Sequence, residues 1–242
     1  MTEGGLTEPA TIILSVWRDL RVETAHCMMN MKALGWPFMI KRGDALITRS
    51  RSVAVSRWYQ ETDDDVFLMI DDDIVFEESE AMSVVQLARE KRSIAAGAYP
   101  VKNGWHLACR AYVGQELVFG PGSKPVEIVY PATGFMAVHR DVITSMLAMR
   151  DSDGRPHFPL CRLPGTTIEM WPFFDCFTLP GDGEFSEYLS EDFAFGEIAR
   201  RLGFKVWLDQ SVILNHIGQY SYNVLTMAGA RPIELTEMGV AE

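Results

Sequence analysis

Basic residues are in short supply in this chain, and its cysteines are few and scattered. Among 242 residues there are 22 Lys or Arg against 33 Asp or Glu, a formal net charge of −11. A surface with that balance repels nucleic acid in general and excludes a long groove that tracks phosphates. A local basic pocket stays compatible with it, because Arg18, Arg21, Lys41, Arg42, Arg49, Arg51 and Arg57 all fall in the first quarter of the chain. The four cysteines, Cys27, Cys109, Cys161 and Cys176, form no Cys-x-x-Cys pair. That argues against a zinc ribbon, a redox motif or a dense disulfide framework, and buried free thiols are expected. No apolar run is long enough to span a membrane, and Met1-Thr2-Glu3-Gly4-Gly5 lacks a basic region followed by an apolar one. A soluble cytoplasmic protein with no membrane partner is therefore expected. Internal repeats and low-complexity segments are also missing.

What is present is a globular α/β pattern, with 48% hydrophobic and 23% charged residues. The length suits one α/β domain, although two small ones are compatible with it. Thr11 to Val16 predicts a first strand, and Arg21 to Leu34 a helix closed by Gly35. Trp36 to Ile40 predicts a second strand and Asp44 to Gln60 a second helix. Between Ser79 and Lys91 the apolar positions Ala81, Val84, Val85 and Ala88 share one helical face, with Ser79 as the N-cap. Ser93 to Gly97 follows as a strand. Such alternation predicts a mostly parallel sheet with helices on its faces. Later, Thr133 to Val138 predicts a strand and Asp141 to Met149 a helix. Residues 151 to 183, rich in Pro, Gly and aromatics, predict a long loop or lid. Ser190 opens a helix with Phe195, Ile198, Ala199 and Leu202 on its buried face, ended by Gly203. Lys205 to Leu208 predicts a last strand, and the tail beyond Thr226 has weak periodicity.

The most informative stretch is Val66-Phe67-Leu68-Met69-Ile70 followed by Asp71-Asp72-Asp73. Five apolar residues predict a buried strand, so the acids emerge at its C-terminal edge, where ligands of open α/β sheets bind. Three adjacent carboxylates disfavour one another's ionised forms, and a divalent cation removes that penalty. Hard oxygen ligands suit Mg²⁺ or Mn²⁺. The alternative is a solvated turn, which is the reading that Asp63-Asp64-Asp65 on the near side of the same strand fits. The second cluster differs because Ile74-Val75-Phe76 continues apolar beyond it.

Leu68-Met69-Ile70-Asp71-Asp72-Asp73-Ile74 resembles the Asp-x-Asp signature of GT-A glycosyltransferases, in particular the compact bacterial and phage type. Other elements occur in that family's order. Arg49-Ser50-Arg51-Ser52 stands where similar enzymes carry an Arg-Asn pair near the nucleotide, with Ser52 in place of the Asn. Gly97 to Lys102 resembles the segment after the next strand, and Thr133-Gly134-Phe135-Met136 the glycine-containing strand beside the donor sugar. Ser190-Glu191-Asp192-Phe193 resembles the Glu-Asp motif at the acceptor side, and His216 in Asn215-His216-Ile217-Gly218 the late histidine of the metal shell. The set spans residues 11 to 220.

The resemblance implies a Rossmann-like GT-A domain over residues 1–242. Its halves would be a nucleotide-sugar-binding part (1–100) and an acceptor-side part (101–220), followed by a tail (221–242). It implies Asp71, Asp73 and His216 as ligands of Mn²⁺ or Mg²⁺. Ser15, Arg18, Arg51, Asp72 and Gly134 would contact a nucleotide-sugar donor, a UDP-sugar being favoured. In a hexosyltransferase that inverts, Asp192 would be the general base, with Glu191 as the fallback; in one that retains, that carboxylate would instead orient the substrate. The acceptor would be a hydroxyl on a protein, a glycan or a hydroxylated phage DNA base, the last disfavoured by charge.

Each of these residues also has a plainer reading. Acids in a first helical turn complement the helix dipole, and that dipole favours the ionised form Asp192 would need as a base. A lone histidine is commonly a satisfied core residue, and surface arginines commonly pair with acids. Trp171-Pro172-Phe173-Phe174 fits either packing or stacking on a sugar. Two rival functions use the same fold. A nucleotidyltransferase usually brings a Gly-rich phosphate loop after its first strand, and Ser15-Val16-Trp17-Arg18 offers none. A non-catalytic nucleotide-sugar binder would retain the fold without turnover.

Overall fold

Thr11–Val16 is buried along its whole length and forms β1, the innermost of three parallel strands. The computed structural model describes residues 8–102, 106–181, 183–218 and 221–225. After β1 come α1 (Val22–Ala33), β2 (Phe38–Arg42), α2 (Ile47–Glu61), β3 (Val66–Asp71), β4 (Ile74–Val75) and α3 (Glu78–Lys91). Then follow β5 (Ile94–Ala98), β6 (Val126–Ile128), β7 (Phe135–His139), α4 (Arg140–Ala148), β8 (Cys161–Arg162), β9 (Glu169–Met170), β10 (Phe177–Pro180) and β11 (Ser186–Leu189). The described part closes with α5 (Glu191–Arg201), β12 (Val206–Ile213), β13 (Asn215–Ile217) and β14 (Ser221–Tyr222).

The main sheet has seven strands in the order β2-β1-β3-β7-β5-β12-β6. β2, β1, β3, β5 and β12 run parallel, as the alternation predicts. β7 runs antiparallel between β3 and β5, and β6 antiparallel on the β12 edge. The near-continuous apolar runs of β1, β3, β5 and β7 are buried because helices cover both faces of the sheet. A hydrophobic cluster runs through these strands from Ala10 to Val224. The parallel register sets Ser15 of β1 opposite Asp71 of β3, so both strands end at the same edge.

Several boundaries differ from expectation for local reasons. α2 begins at Ile47 rather than Asp44, because the Asp44 carboxylate accepts the Leu46 N–H at 3.1 Å and so forms a turn ahead of the helix. The same carboxylate holds Arg49 through two bonds of 2.9 and 2.7 Å. The N-cap of α3 is Glu77 rather than Ser79, in a reciprocal capping box with Glu80. β2 starts at Phe38 because Trp36 is buried beneath the end of α1.

Residues 151–183 are not one long loop: β8 pairs β9 within them, and β10 pairs β11, which lies just beyond them. The segment is fastened to α2, since the Ser56 and Ser52 hydroxyls accept the Trp171 and Phe174 N–H groups at 2.8 and 3.2 Å. Phe173 and Phe174 are fully buried, and Phe174 stacks on Phe195 with centroids 4.6 Å apart. Packing therefore accounts for Phe173 and Phe174. Cys27 and Cys109 are buried free thiols, Cys109 pushed by burial up to about 12. Cys161 and Cys176 are only partly covered, against expectation. Among the described residues no helix is long and apolar enough to cross a membrane. The tail beyond Thr226 lies outside the described residues.

Candidate functional site

The acids lie where β3 turns into β4, and three backbone bonds from three different segments hold the elbow. The Asp71 N–H donates to the Gly134 carbonyl at 3.0 Å, the Asp72 carbonyl accepts from Arg21 at 3.1 Å, and the Asp73 carbonyl accepts from Ile217 at 2.8 Å. β4 then pairs with β13, with His216 opposite Ile74. The late histidine thus reaches the acids through a strand pairing that local sequence does not encode.

Each carboxylate has its own surroundings. Asp71 accepts from Arg51 Nη2 at 2.7 Å, while Arg51 Nη1 lies 2.5 Å from Glu191 Oε1. Arg51 is only 4% exposed, and its Nε has no hydrogen-bond partner among the described residues. Asp73 is gripped on both oxygens: the Lys102 ammonium pairs with Oδ2, and His216 Nε2 lies 3.4 Å from Oδ1. Burial alone would raise the Asp73 carboxyl, but His216 and Lys102 outweigh it and hold it below the ordinary carboxylate range. Asp72 has no such partner. Burial, reinforced by Asp73 and Asp71, pushes it up to about 6 against the weaker opposing pull of Lys102.

His216 Nδ1 is 2.8 Å from the Pro100 carbonyl, an acceptor, so Nδ1 carries the proton and Nε2 is the atom presented to Asp73. A second hydrogen bond of this kind is how ligating histidines are commonly oriented. Once Nε2 gives up the proton with which it holds Asp73 down, it and Oδ1 are two lone-pair atoms 3.4 Å apart, close to the span of neighbouring ligands around an ion with bonds of about 2.1 Å. The carboxylate oxygen suits Mn²⁺ or Mg²⁺, whereas the imidazole nitrogen is a donor for the softer end of that series. Among the described residues no group of three or more His, Cys, Asp or Glu converges to hold an ion unaided. An ion there would need water and substrate phosphates to complete its shell, as Mg²⁺ commonly does. The residues fit such a group, with Asp73 and His216 as the closest pair and Asp71 committed to Arg51.

Gly134 immediately precedes β7 and has a steric reason to be glycine. A Cβ there would overlap the Tyr99 hydroxyl and stand 3.0 Å from Asp71 Oδ2. Its N–H donates to that hydroxyl at 2.8 Å, and Tyr99 packs edge-on against His216. Burial and the Asp71 charge together raise the Tyr99 phenol well above its ordinary value, so it stays a neutral hydrogen-bonding group. Ser15 is buried at the end of β1, and its hydroxyl has no hydrogen-bond partner among the described residues. Arg18 is exposed and lies 5.4 Å from the Trp17 ring, with no described contact to the acids.

On the far side, Asp192 occupies the first turn of α5. Burial pushes its carboxyl above the ordinary value and Glu191 adds to this, outweighing the Ser190 hydroxyl, the Phe193 N–H and Arg51. Asp192 Oδ1 accepts from Ser190 Oγ and from the Phe193 N–H at 2.8 Å, which leaves Oδ2 without a hydrogen bond among the described residues.

The fold thus gathers Ser15, Arg51, Asp71, Asp72, Asp73, Gly134, Glu191, Asp192 and His216 around one sheet edge. Arg18 borders that group without joining it. Sequence reasoning assigned no role to Tyr99 or Lys102. Their signal was present in the run Gly97 to Lys102, directly after a buried strand. Two clefts lie elsewhere. One of about 520 Å³, lined by Lys91, Arg92, Lys205 and Trp207, sits at the opposite edge of the sheet. Another of about 380 Å³ lies between β2, α2 and β9.

No protein-family model matches the chain, and no curated protein matches it in sequence. Solved structures do resemble it. A197 from STIV is 14% identical, with a TM-score of 0.57 over 86% of each chain. GalNAc-T7, solved with UDP, GalNAc and Mn²⁺, is 9% identical with a TM-score of 0.46. That alignment covers 86% of this chain and 43% of the longer GalNAc-T7 chain. A putative glucose-1-phosphate thymidylyltransferase from Bacillus anthracis, in complex with a sucrose, is 11% identical with a TM-score of 0.42. It covers 94% of this chain and 77% of its own. The architecture is that of a GT-A-like, Rossmann-type α/β fold, and at these identities the likeness concerns the fold alone.

Proposed function

We propose that the protein is a metal-dependent glycosyltransferase, moving a sugar from a nucleotide-diphosphate donor to a hydroxyl acceptor. The observation that carries this reading is the pairing of His216 Nε2 with Asp73 Oδ1 at 3.4 Å beside two further carboxylates at the C-terminal sheet edge. Asp71, Asp73 and His216 would hold a Mn²⁺ or Mg²⁺ ion, which when bound offsets charge on the departing diphosphate. Ser15, with its unpartnered buried hydroxyl, faces the same edge and supplies a donor contact, as does the exposed Arg18 at its border. Asp72 and Gly134 border the space for the ribose and donor sugar. Arg51 acts by holding Asp71 and Glu191 in register across the site.

In the transfer itself the acceptor oxygen attacks the anomeric carbon while the bond from that carbon to the phosphate oxygen breaks. The acceptor proton passes to Asp192 Oδ2, and the electron pair of the broken bond leaves with the diphosphate. Burial raises the proton affinity of Asp192, which improves it as a base wherever it is ionised. Glu191 is already engaged by Arg51 and serves orientation.

The test is turnover of a panel of UDP-, GDP- and other nucleotide-sugars with Mn²⁺ and candidate acceptors, read by mass spectrometry. Undiminished turnover in protein carrying Asp71→Ala and Asp73→Ala would remove the metal assignment. Release of pyrophosphate from a nucleoside triphosphate and a sugar phosphate would make the protein a nucleotidyltransferase. Nucleotide binding without turnover across the panel would make it a binder.

A further inference from the structure

Asp73 already has a cation, and it belongs to the chain. The Lys102 ammonium pairs with Asp73 Oδ2, on the opposite oxygen from the one His216 faces. The two protein cations at the elbow differ in how firmly they are held. Arg51 is buried and bound at both ends, by Asp71 and by Glu191. The Lys102 side chain keeps about a third of its surface exposed (34%). Its stem lies over Gly218, where an added Cβ would come 3.2 Å from the Lys102 Cδ and 3.4 Å from its Cγ. A flexible stem with a compact charge can leave its partner at little cost, whereas a doubly held guanidinium cannot.

Counting charges at the elbow decides what happens when a dication arrives. Four carboxylates, Asp71 to Asp73 and the Glu191 that shares Arg51, face one Arg and one Lys. A divalent ion on Asp73 takes over the neutralising charge, so the ammonium loses its hold there and is free to meet an anion. Lysine is a common partner of phosphates.

We propose that Lys102 is the resident counter-ion of Asp73, displaced by the divalent cation and thereby released to bind the diphosphate of the donor. This rests on the glycosyltransferase reading and adds an order of loading, cation first and nucleotide second. Lys102 becomes the group that makes nucleotide affinity depend on the ion. Because such coupling is reciprocal, the same residue opposes ion binding when no nucleotide is present.

The experiment measures Mn²⁺ affinity by electron paramagnetic resonance of free Mn²⁺, and UDP affinity at saturating Mn²⁺ by calorimetry, without any turnover. Lys102→Met and Lys102→Gln are both made, so that one misfolded variant does not end the test, and far-UV circular dichroism checks each. Both are expected to bind Mn²⁺ alone about tenfold more tightly than the unaltered protein, because a like charge beside the ion is gone. Both are expected to bind UDP about tenfold more weakly at saturating Mn²⁺. Lys102→Arg retains a charge and should follow the unaltered protein, as should Lys205→Met, whose ammonium pairs with Glu127 far from the elbow. Unchanged or weaker Mn²⁺ binding in folded Lys102→Met and Lys102→Gln overturns the proposal, as does unchanged UDP affinity in them. A different failure concerns the site itself. If Asp73→Asn leaves Mn²⁺ binding intact, or the unaltered protein binds none, the metal assignment falls and not only the role of Lys102.

Discussion

Arg51 Nη2 lies 2.7 Å from Asp71 Oδ1, so a helix residue neutralises the first acid of the elbow from within the core. Its other terminal nitrogen reaches Glu191, 140 positions further along the chain. One guanidinium therefore joins the acid edge of the sheet to the first turn of α5. Arg51→Met would leave both carboxylates without their partner, a loss of about 3 kcal/mol of stability by analogy with broken buried pairs. Adding Glu191→Gln should recover part of it, since one orphaned charge disappears. Urea denaturation of both variants checks this, and an Arg51→Met protein as stable as the unaltered one would contradict the bridge.

Gly134 and Tyr99 form a second close relationship, with a 2.8 Å bond from the glycine N–H to the phenol oxygen. Gly134→Ala would drive its methyl into that hydroxyl and against Asp71, at a cost of about 1–3 kcal/mol for overpacking. Tyr99→Phe removes the acceptor and strands a buried N–H, also costing about 1–3 kcal/mol. The double variant should cost less than the sum, because the phenylalanine leaves room for the alanine. Thermal unfolding of the three proteins measures the coupling, and strict additivity would exclude the contact.

Asp72 sets a pH dependence. Burial first, then its neighbours Asp73 and Asp71, push its carboxyl up to about 6 in the fold. The unfolded chain has an ordinary Asp value of about 3.9, so the protonated form is favoured by folding. The stability that Asp72 contributes is therefore complete below about pH 4 and lost as pH rises through about 6. Asp72→Asn, which cannot ionise, should exceed the unaltered protein by about 1 kcal/mol at about pH 7.5, after allowing for solvent screening of a half-buried group. The gap should close towards about pH 4. Denaturation in metal-free buffer at several pH values provides the comparison, and a gap that widens on acidification would reverse the assignment.

Ser52 occupies the place where the family resemblance calls for Asn, and its hydroxyl accepts the buried Phe174 N–H at 3.2 Å. Ser52→Ala should cost about 1–2 kcal/mol through that unsatisfied donor. Amide exchange should speed up locally around Trp171 to Phe174, where the segment is fastened to α2, and less so in β1 and β3. Uniform protection across the two regions would show that the hydroxyl does not fasten the segment.

Much of the fold was legible. β1, β3 and β5 announce themselves as short apolar runs, and α3 and α5 as apolar stripes, because burial on one or both faces is written directly into residue order. The antiparallel insertion of β7 was not legible. Nothing in Thr133 to Val138 distinguishes a strand running against its neighbours from one running with them. The boundary of α2 was missed because Asp44 spends its carboxylate on the Leu46 N–H and on Arg49, a choice set by side-chain chemistry rather than periodicity. The 151–183 segment read as a loop because its strands are two to four residues long and its anchors are single hydroxyls on α2.

For the site, the sequence alone determined that three acids must leave a buried strand at the C-terminal edge of a sheet. It also determined that Asp192 begins a helix and that a histidine follows the last long strand. Those are local consequences of apolar burial and helix capping. Only the tertiary structure decided which partner each acid meets. Arg51 came to Asp71, Lys102 and His216 came to Asp73, and Asp72 was left with a raised proton affinity. The reason is physical: a charge is neutralised by whatever lies within a few ångströms of it. That neighbourhood is made by chain closure between β4 and β13 and between α2 and α5, across separations that no local pattern records.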